Sequence, residues 1–272
     1  MALSRMTVVI RGGGDLATGV AQKLWRAGFA VALLELAQPT AIRRSVALSS
    51  AMADGASQVE DMIARRLEDP AGCQAVWEKG EIPVLADPGC DTLPVLRPSI
   101  FVDATLAKRN LGTHRGMAPV TIALGPGFSA PEDVDAVIET MRGHYLGRLI
   151  TKGEAQPNTG VPGELGGKTA ERVVHAPVAG VVSHRHRIGD QVSRGEIIFL
   201  IGGTAVPSPL DGTLRGLIGA GLAVHQGMKC ADVDPRPAGE VDCFTISDKA
   251  RCLGGAVLEA CFYLGRQKGL SF

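Results

Sequence analysis

Two stretches in the second half of this chain repeat each other at an offset of 32 residues, and a repeat that short restricts what the segment can become. Ala176-Pro177-Val178-Ala179-Gly180 returns as Ser208-Pro209-Leu210-Asp211-Gly212. Ile188-Gly189-Asp190-Gln191-Val192 returns as Ala220-Gly221-Leu222-Ala223-Val224, and Arg194-Gly195-Glu196 as Gln226-Gly227-Met228, all without a gap. A unit of this length cannot bury an apolar face alone, so two copies must cover each other. Residues 173–236 are therefore expected to form one pseudo-symmetric object of two β-rich halves.

The first half reads as an α/β domain. Thr7–Ile10 is a β-branched run, and Arg11-Gly12-Gly13-Gly14-Asp15-Leu16-Ala17-Thr18-Gly19 follows it directly. Val20, Leu24 and Ala27 then fall at helical spacing, Gly28 stops the helix, and Ala30–Leu34 forms a second strand ending in Glu35. Strand, glycine turn, helix, strand and acid match a dinucleotide-binding pattern in which Gly12, Gly14 and Ala17 take the small-residue places and Glu35 reaches a ribose. Asp15 opposes that reading, because a carboxylate at the helix start stands where a pyrophosphate would sit and can cap the helix itself. Two readings stay open: a cofactor cradle of Gly12, Gly13, Gly14, Asp15 and Leu16, or a capped turn that holds no dinucleotide. Arg43 and Arg44 either supply positive charge to the cradle or are solvated.

Further strands are expected at Ile82–Leu85 leading to Asp87, Ile100–Val102 leading to Asp103, and Val120–Leu124 leading to Gly125-Pro126-Gly127. In an open parallel sheet such ends share the ligand-binding edge. Asp103, Lys108, Gly125 and Gly127 join the candidates there, with Asp103 placed to act as a base if a substrate reaches it. Pro131-Glu132-Asp133 predicts the first turn of a helix over 130–141. No nucleophile elbow is present, and neither His114 nor His144 has an evident carboxylate and nucleophile beside it.

Lys plus Arg and Asp plus Glu are 28 each, and this balance shows none of the basic patches that nucleic acid or anionic membranes require. No apolar run approaches the ~20 residues of a membrane span, and Met1–Met6 leads into a strand without a secretory apolar region. Six cysteines without zinc or C-x-x-C spacing predict free, mostly buried thiols in a cytoplasmic protein, and no metal site. His184-Arg185-His186 is expected to be an exposed turn. The turn-forming stretch 151–171 predicts a linker between a domain at 1–150 and a barrel at 172–236, followed by an extension at 237–272. Ser247 is the expected N-cap of a final helix whose stripe of Leu253, Val257, Leu258, Cys261 and Leu264 must pack on the first domain or on a second subunit.

The repeat resembles the biotinyl/lipoyl hammerhead barrel, whose modified lysine sits on an exposed hairpin. The corresponding hairpin here, Phe199–Pro207, contains no lysine, and Met228-Lys229 falls in the second copy. Residues 11–19, Pro39–Arg44, Asp103–Lys108, Leu124–Phe128, Asp135–His144, Pro157–Gly160, Gly227–Lys229, Asp234–Arg236 and Ser247–Arg251 together resemble YqeB-type accessory proteins of the selenium-dependent molybdenum hydroxylase system. The first domain is also similar to the nucleotide-fold half of XdhC-type chaperones. This resemblance implies a Rossmann-like parallel sheet domain followed by a small all-β barrel and a C-terminal helix. It further implies a maturation factor that prepares or delivers a molybdopterin dinucleotide to a molybdenum hydroxylase client, and it carries over no catalytic residue. The alternatives are an NAD(P)-dependent oxidoreductase and a non-catalytic interaction scaffold.

Overall fold

A computed structural model describes residues 6–160, 163–164 and 166–272. The extreme N-terminus and Val161, Pro162 and Leu165 of the expected linker lie outside the described residues. The chain forms two compact units: one of residues 1–37, 47–159 and 246–272, the other of 38–46 and 160–245. These limits differ from a simple succession of domains. The first unit contains the final helix, and the second takes a short segment from early in the chain.

Unit 1 is built on β1 (Thr7–Arg11), β2 (Ala30–Glu35), β3 (Ala56–Val59), β4 (Met62–Leu67), β5 (Ile82–Ala86), β6 (Ile100–Asp103), β7 (Val120–Leu124), β8 (Ser129–Ala130), β9 (Ala136–Ile138), β10 (Leu149–Ile150) and β11 (Gly153–Glu154). Its helices are α1 (Asp15–Arg26), α2 (Ala51–Asp54), α3 (Cys73–Glu78), α4 (Leu93–Leu96) and α5 (Asp248–Gln267). Nine strands pair in the order β10-β9-β7-β6-β1-β2-β5-β4-β3, while β11 and β8 form a separate ribbon. The central strands run parallel, whereas β10 on β9 and β3 on β4 are antiparallel.

The expected Rossmann-like parallel sheet is thus corrected to a mixed sheet. A doubly wound sheet needs helices as its crossovers, and here only the β1–β2 connection is a long one, α1. The segment between β6 and β7 holds a single 3-10 turn, and the expected helix over 130–141 is instead β8, a turn and β9. Asp135 accounts for that difference. Its carboxylate accepts from the Thr121 amide and hydroxyl, its own amide bonds Thr121, and the following Ala-Val-Ile run is fully buried against β7. On one side of the sheet Val9, Ala32, Leu34, Leu85 and Phe101 share a core with Cys73, Trp77 and Leu96 from α3 and α4. Ser247 caps α5 through its hydroxyl, as its position suggested. The helix then lies directly against α1: a Cβ on Gly19 would strike the Ala250 carbonyl, and one on Gly254 would strike that of Gly19.

Unit 2 contains β12 (Val173–His175), β13 (Gly180–His184), β14 (Gln191–Val192), β15 (Ile197–Ile201), β16 (Thr204–Pro207), β17 (Gly212–Leu217), β18 (Ala223–Val224) and β19 (Lys229–Asp234). The repeat is visible strand by strand: Gly180, Gln191 and Ile197 open strands, and so do Gly212, Ala223 and Lys229, each 32 residues later. The two antiparallel sheets are β12-β19-β17-β14 and β16-β15-β13-β18, so each draws strands from both copies. They share one core that includes Val182, Phe199 and Ile201 with Leu214, Leu217 and Val233. The expected small all-β barrel is corrected to these two four-stranded sheets over one core. The lysine-free hairpin has a two-residue turn, Gly202-Gly203, with φ of 55° and 86°, which side chains other than glycine adopt at a cost. Ile42 of the early segment packs on this core and accepts the Leu217 amide through its carbonyl. Among the described residues no helix is long and apolar enough to cross a membrane.

Candidate functional site

The carboxyl ends of the parallel strands in unit 1 bring several predicted residues together. Gly12, Gly13 and Gly14 follow β1, and Asp103 closes β6. Lys108 lies in the loop beyond it, and Gly125 and Gly127 follow β7. The residues do not fit a dinucleotide. The Glu35 carboxylate accepts the Gly13 amide at 2.7 Å through one oxygen and the Leu36 amide at 2.7 Å through the other, so the acid expected to meet a ribose is bonded to its own backbone. Burial pushes the Glu35 pKa up, against the pull of those two amides. Ser49 packs on Gly13, where an added Cβ would lie 3.1 Å from its Cβ, and the Ser49 amide bonds the Gly13 carbonyl. Asp15 is the first helical residue and Gly14 the N-cap, with no side-chain capping bond, while Leu16 is half-buried in the first turn.

Asp103 is fully buried and has its bonds within the protein. Oδ1 accepts the amide and hydroxyl of Thr105, and Oδ2 accepts the Thr113 hydroxyl at 2.6 Å. Arg11 stands 3.6 Å from it and donates to the carbonyls of Pro88 and Leu111 and to Thr113. Asp87 accepts from the Asp91 and Thr92 amides and the Thr92 hydroxyl. These groups fasten loops to the sheet edge. Arg43 and Arg44 belong to unit 2, where the Arg44 Nε donates to the Leu217 carbonyl.

What the fastened loops present is a neighbouring cluster. Leu106 and Lys108 hold φ of 53° and 64°, left-handed values that cost L-residues about 1–2 kcal/mol each. The β7 loop presses against them: a Cβ on Gly127 would lie 2.6 Å from the Arg109 Cα, and one on Gly125 would lie 2.7 Å from the Thr140 hydroxyl and 3.6 Å from Leu106. Beside Thr140, buried Glu139 accepts the Met141 and Gln156 amides. Arg142 reaches Asp248 at the start of α5 through two bonds of 2.8 and 3.0 Å. The next residue, Lys249, is half-buried. Burial lowers its pKa and the Arg142 charge lowers it further, while Asp15, Glu139 and Asp248 oppose the fall. Lys249 and Glu139 fall within the Ser247–Arg251 and Asp135–His144 motifs but were not named as site candidates, because they come within each other's field only through the α5–sheet packing.

In unit 2, the His184 Nε2 donates to the Ile218 carbonyl, 2.7 Å away, and burial lowers its pKa. His186 stands 3.1 Å from Glu196 and 3.4 Å from Asp190, so the pair is half-buried and partnered rather than an exposed turn.

No protein-family model matches the chain. It is 52% identical over 261 residues to the Escherichia coli (strain K12) protein named "Uncharacterized protein YqeB", an alignment that covers 96% of this chain and 48% of that protein. Among solved structures it is similar to three chains. These are the product-bound ectoine utilization protein EutE (DoeB) from Ruegeria pomeroyi (15% identity, 84% of this chain and 85% of that one, TM-score 0.27), a succinylglutamate desuccinylase from Silicibacter sp. TM1040 (12%, 84% and 84%, 0.25), and an aspartoacylase family protein from Mesorhizobium loti (13%, 86% and 87%, 0.28). At such TM-scores these likenesses carry none of those proteins' chemistry to this chain. The chain's own geometry corrects the expected molybdenum-hydroxylase maturation factor, which was to deliver a dinucleotide, and with it the NAD(P)-dependent oxidoreductase alternative. The turn and the acid that would hold a dinucleotide bond each other. The chain spans about half the length of the curated relative it matches.

Proposed function

We propose that unit 1 is an enzyme-type module that binds a small polar molecule at the carboxyl edge of its parallel strands, with Lys249 exchanging a proton with it. The observation that carries this reading is the half-buried Lys249 at the start of α5, next to the Asp248 that Arg142 holds through two bonds; burial lowers its pKa and the Arg142 charge lowers it further, within the field of Asp15 and Glu139. A lysine so placed has a larger neutral fraction near neutral pH, as proton-transfer chemistry requires, and perturbed groups gather at functional sites. Support comes from the strained Leu106–Lys108 backbone, held at the same edge by Gly125 and Gly127. The free cysteines suit a reducing compartment such as the cytoplasm.

Trinitrobenzenesulfonate labelling across a pH series, read by peptide mass mapping, tests the amine. Lys249 is expected to react at lower pH than the exposed Lys79 and Lys152; if all three titrate together, the reading fails. A thermal-shift screen of polar metabolites then tests the site. A compound that stabilises the wild type but not Lys249→Met supports it, and one that stabilises both equally moves the ligand elsewhere.

A further inference from the structure

The end of β19 in unit 2 gathers more positive than negative charge. Arg172 is ion-paired with Asp232. Arg215 lies 3.3 Å from the same carboxylate and 3.7 Å from Asp234, and Arg236 closes the chain at 2.6 Å from Asp234. Asp232 and Asp234 are 4% and 0% exposed, so both carboxylates are internal. Arg43 is close enough for its charge to act on Arg215, yet it enters no ion pair among the described residues. Four guanidiniums thus surround two buried carboxylates. Asp242, the remaining nearby acid, is exposed and holds the amides of Phe244 and Thr245.

Two of these arginines are also short of hydrogen-bond partners. Arg43 and Arg172 are 7% and 6% exposed, and the buried Nε of each has no partner among the described residues. A buried guanidinium donor without an acceptor is costly, and a buried guanidinium outside any ion pair, as Arg43 is among the described residues, more so. Both costs are removed by one kind of group: a compact oxyanion with several acceptor oxygens, which guanidinium forks match in shape and charge. A carrier-type hairpin offers no such chemistry. The first copy of the repeat ends β15 in the tight Gly202-Gly203 turn, whereas the equivalent end of β19 carries Asp234-Pro235-Arg236. The two copies have diverged at the place where the charge collects.

We propose that unit 2 binds a tetrahedral oxyanion, inorganic phosphate or the phosphoryl group of a small ester, between Arg43, Arg172 and Arg215. The proposal is independent of the Lys249 reading, which concerns unit 1 alone.

The test uses the full chain with inorganic phosphate as the probe and chloride at matched ionic strength as the control. Phosphate is expected to raise the Tm saturably by a few degrees while chloride does not, since a ligand that binds only the native state stabilises it by mass action. Arg43→Gln, which breaks no carboxylate pair, is expected to weaken phosphate affinity at least about tenfold, the worth of a charge-assisted bond. Hydrogen exchange on the wild type keeps the proposal exposed even if the variant does not fold: phosphate is expected to slow exchange around residues 170–174, 212–217 and 229–236. The proposal is overturned by a wild-type response no larger than that to chloride, by a folded Arg43→Gln that binds as well as wild type, or by protection confined to unit 1. Repeating the titration with glycerol 3-phosphate separates the two sources of the anion; tighter binding of either supports the site and names its source.

Discussion

Asp135 sits almost wholly inside unit 1 and shares one carboxylate oxygen between the Thr121 amide and the Lys268 ammonium, the latter at 2.6 Å. Burial works to raise its pKa, but the Lys268 bond and the Thr121 donors outweigh it, and the net shift is downward. A carboxylate with a depressed folded pKa adds stability that is fully present above its unfolded value of about 3.9 and is lost as pH falls through the folded value. Lys268→Met is therefore expected to lower stability by about 1 kcal/mol at pH 7 and to shrink the loss below about pH 4, measured by urea unfolding at a series of pH values. An undiminished acid loss would mean that another carboxylate governs it. At this scale the sequence was legible in part. Asp103 and Glu35 were singled out correctly as acids at strand ends, but no pattern reveals that Thr105, Thr113, Gly13 and Leu36 already hold their oxygens. Side-chain saturation is a tertiary fact.

The α1–α5 crossing depends on two glycines that carry nothing in sequence except the absence of a side chain. Gly254→Val would drive atoms into the Gly19 carbonyl and the Lys23 stem, and both helices would have to separate. The expected cost is about 2–4 kcal/mol, read as a fall in Tm, in line with overpacking of a close contact. Gly255→Ala, one residue on with open space around it, is the control and is expected to be neutral or slightly stabilising. A Gly254→Val protein as stable as wild type would disprove the crossing. Strands β1, β2, β5, β6 and β7 were readable because each is a short apolar run closed by a turn-former or an acid. The segment 130–141 was misread because Pro131-Glu132-Asp133 is good chemistry for a helix start. The choice was made by β7, which offers Thr121 to Asp135 and buries Val137 and Ile138.

For the whole molecule, the cysteines offer a map of opening. Cys252 is exposed, while Cys73, Cys90 and Cys261 are buried in unit 1 and Cys230 and Cys243 in unit 2. Burial pushes the Cys73 and Cys90 thiols up to about 11 and Cys261 to about 12, so their thiolate fractions at neutral pH are small as well as shielded. Iodoacetamide at pH 8 is expected to label Cys252 within the native state, with the other five reacting only as their own unit opens in denaturant. Native-state labelling of Cys90 or Cys230 at the Cys252 rate would show a breathing motion that the packing does not predict. The repeat was the most legible feature at this scale because its spacing is purely local. The mixed sheet order was not, since the edge strands β3 and β10 are short and are recruited by pairing rather than by their own composition.

The late placement of α5 bears on how the chain is made. The strands of unit 1 have all been synthesised by Glu154, yet the helix that packs on α1 begins only at Asp248, after the whole of the 160–245 segment. During synthesis the apolar side of α1 is therefore uncovered while the repeat is being translated. A stalled or truncated product ending before Asp248 would expose that surface, which makes α5 the step that completes the core of unit 1.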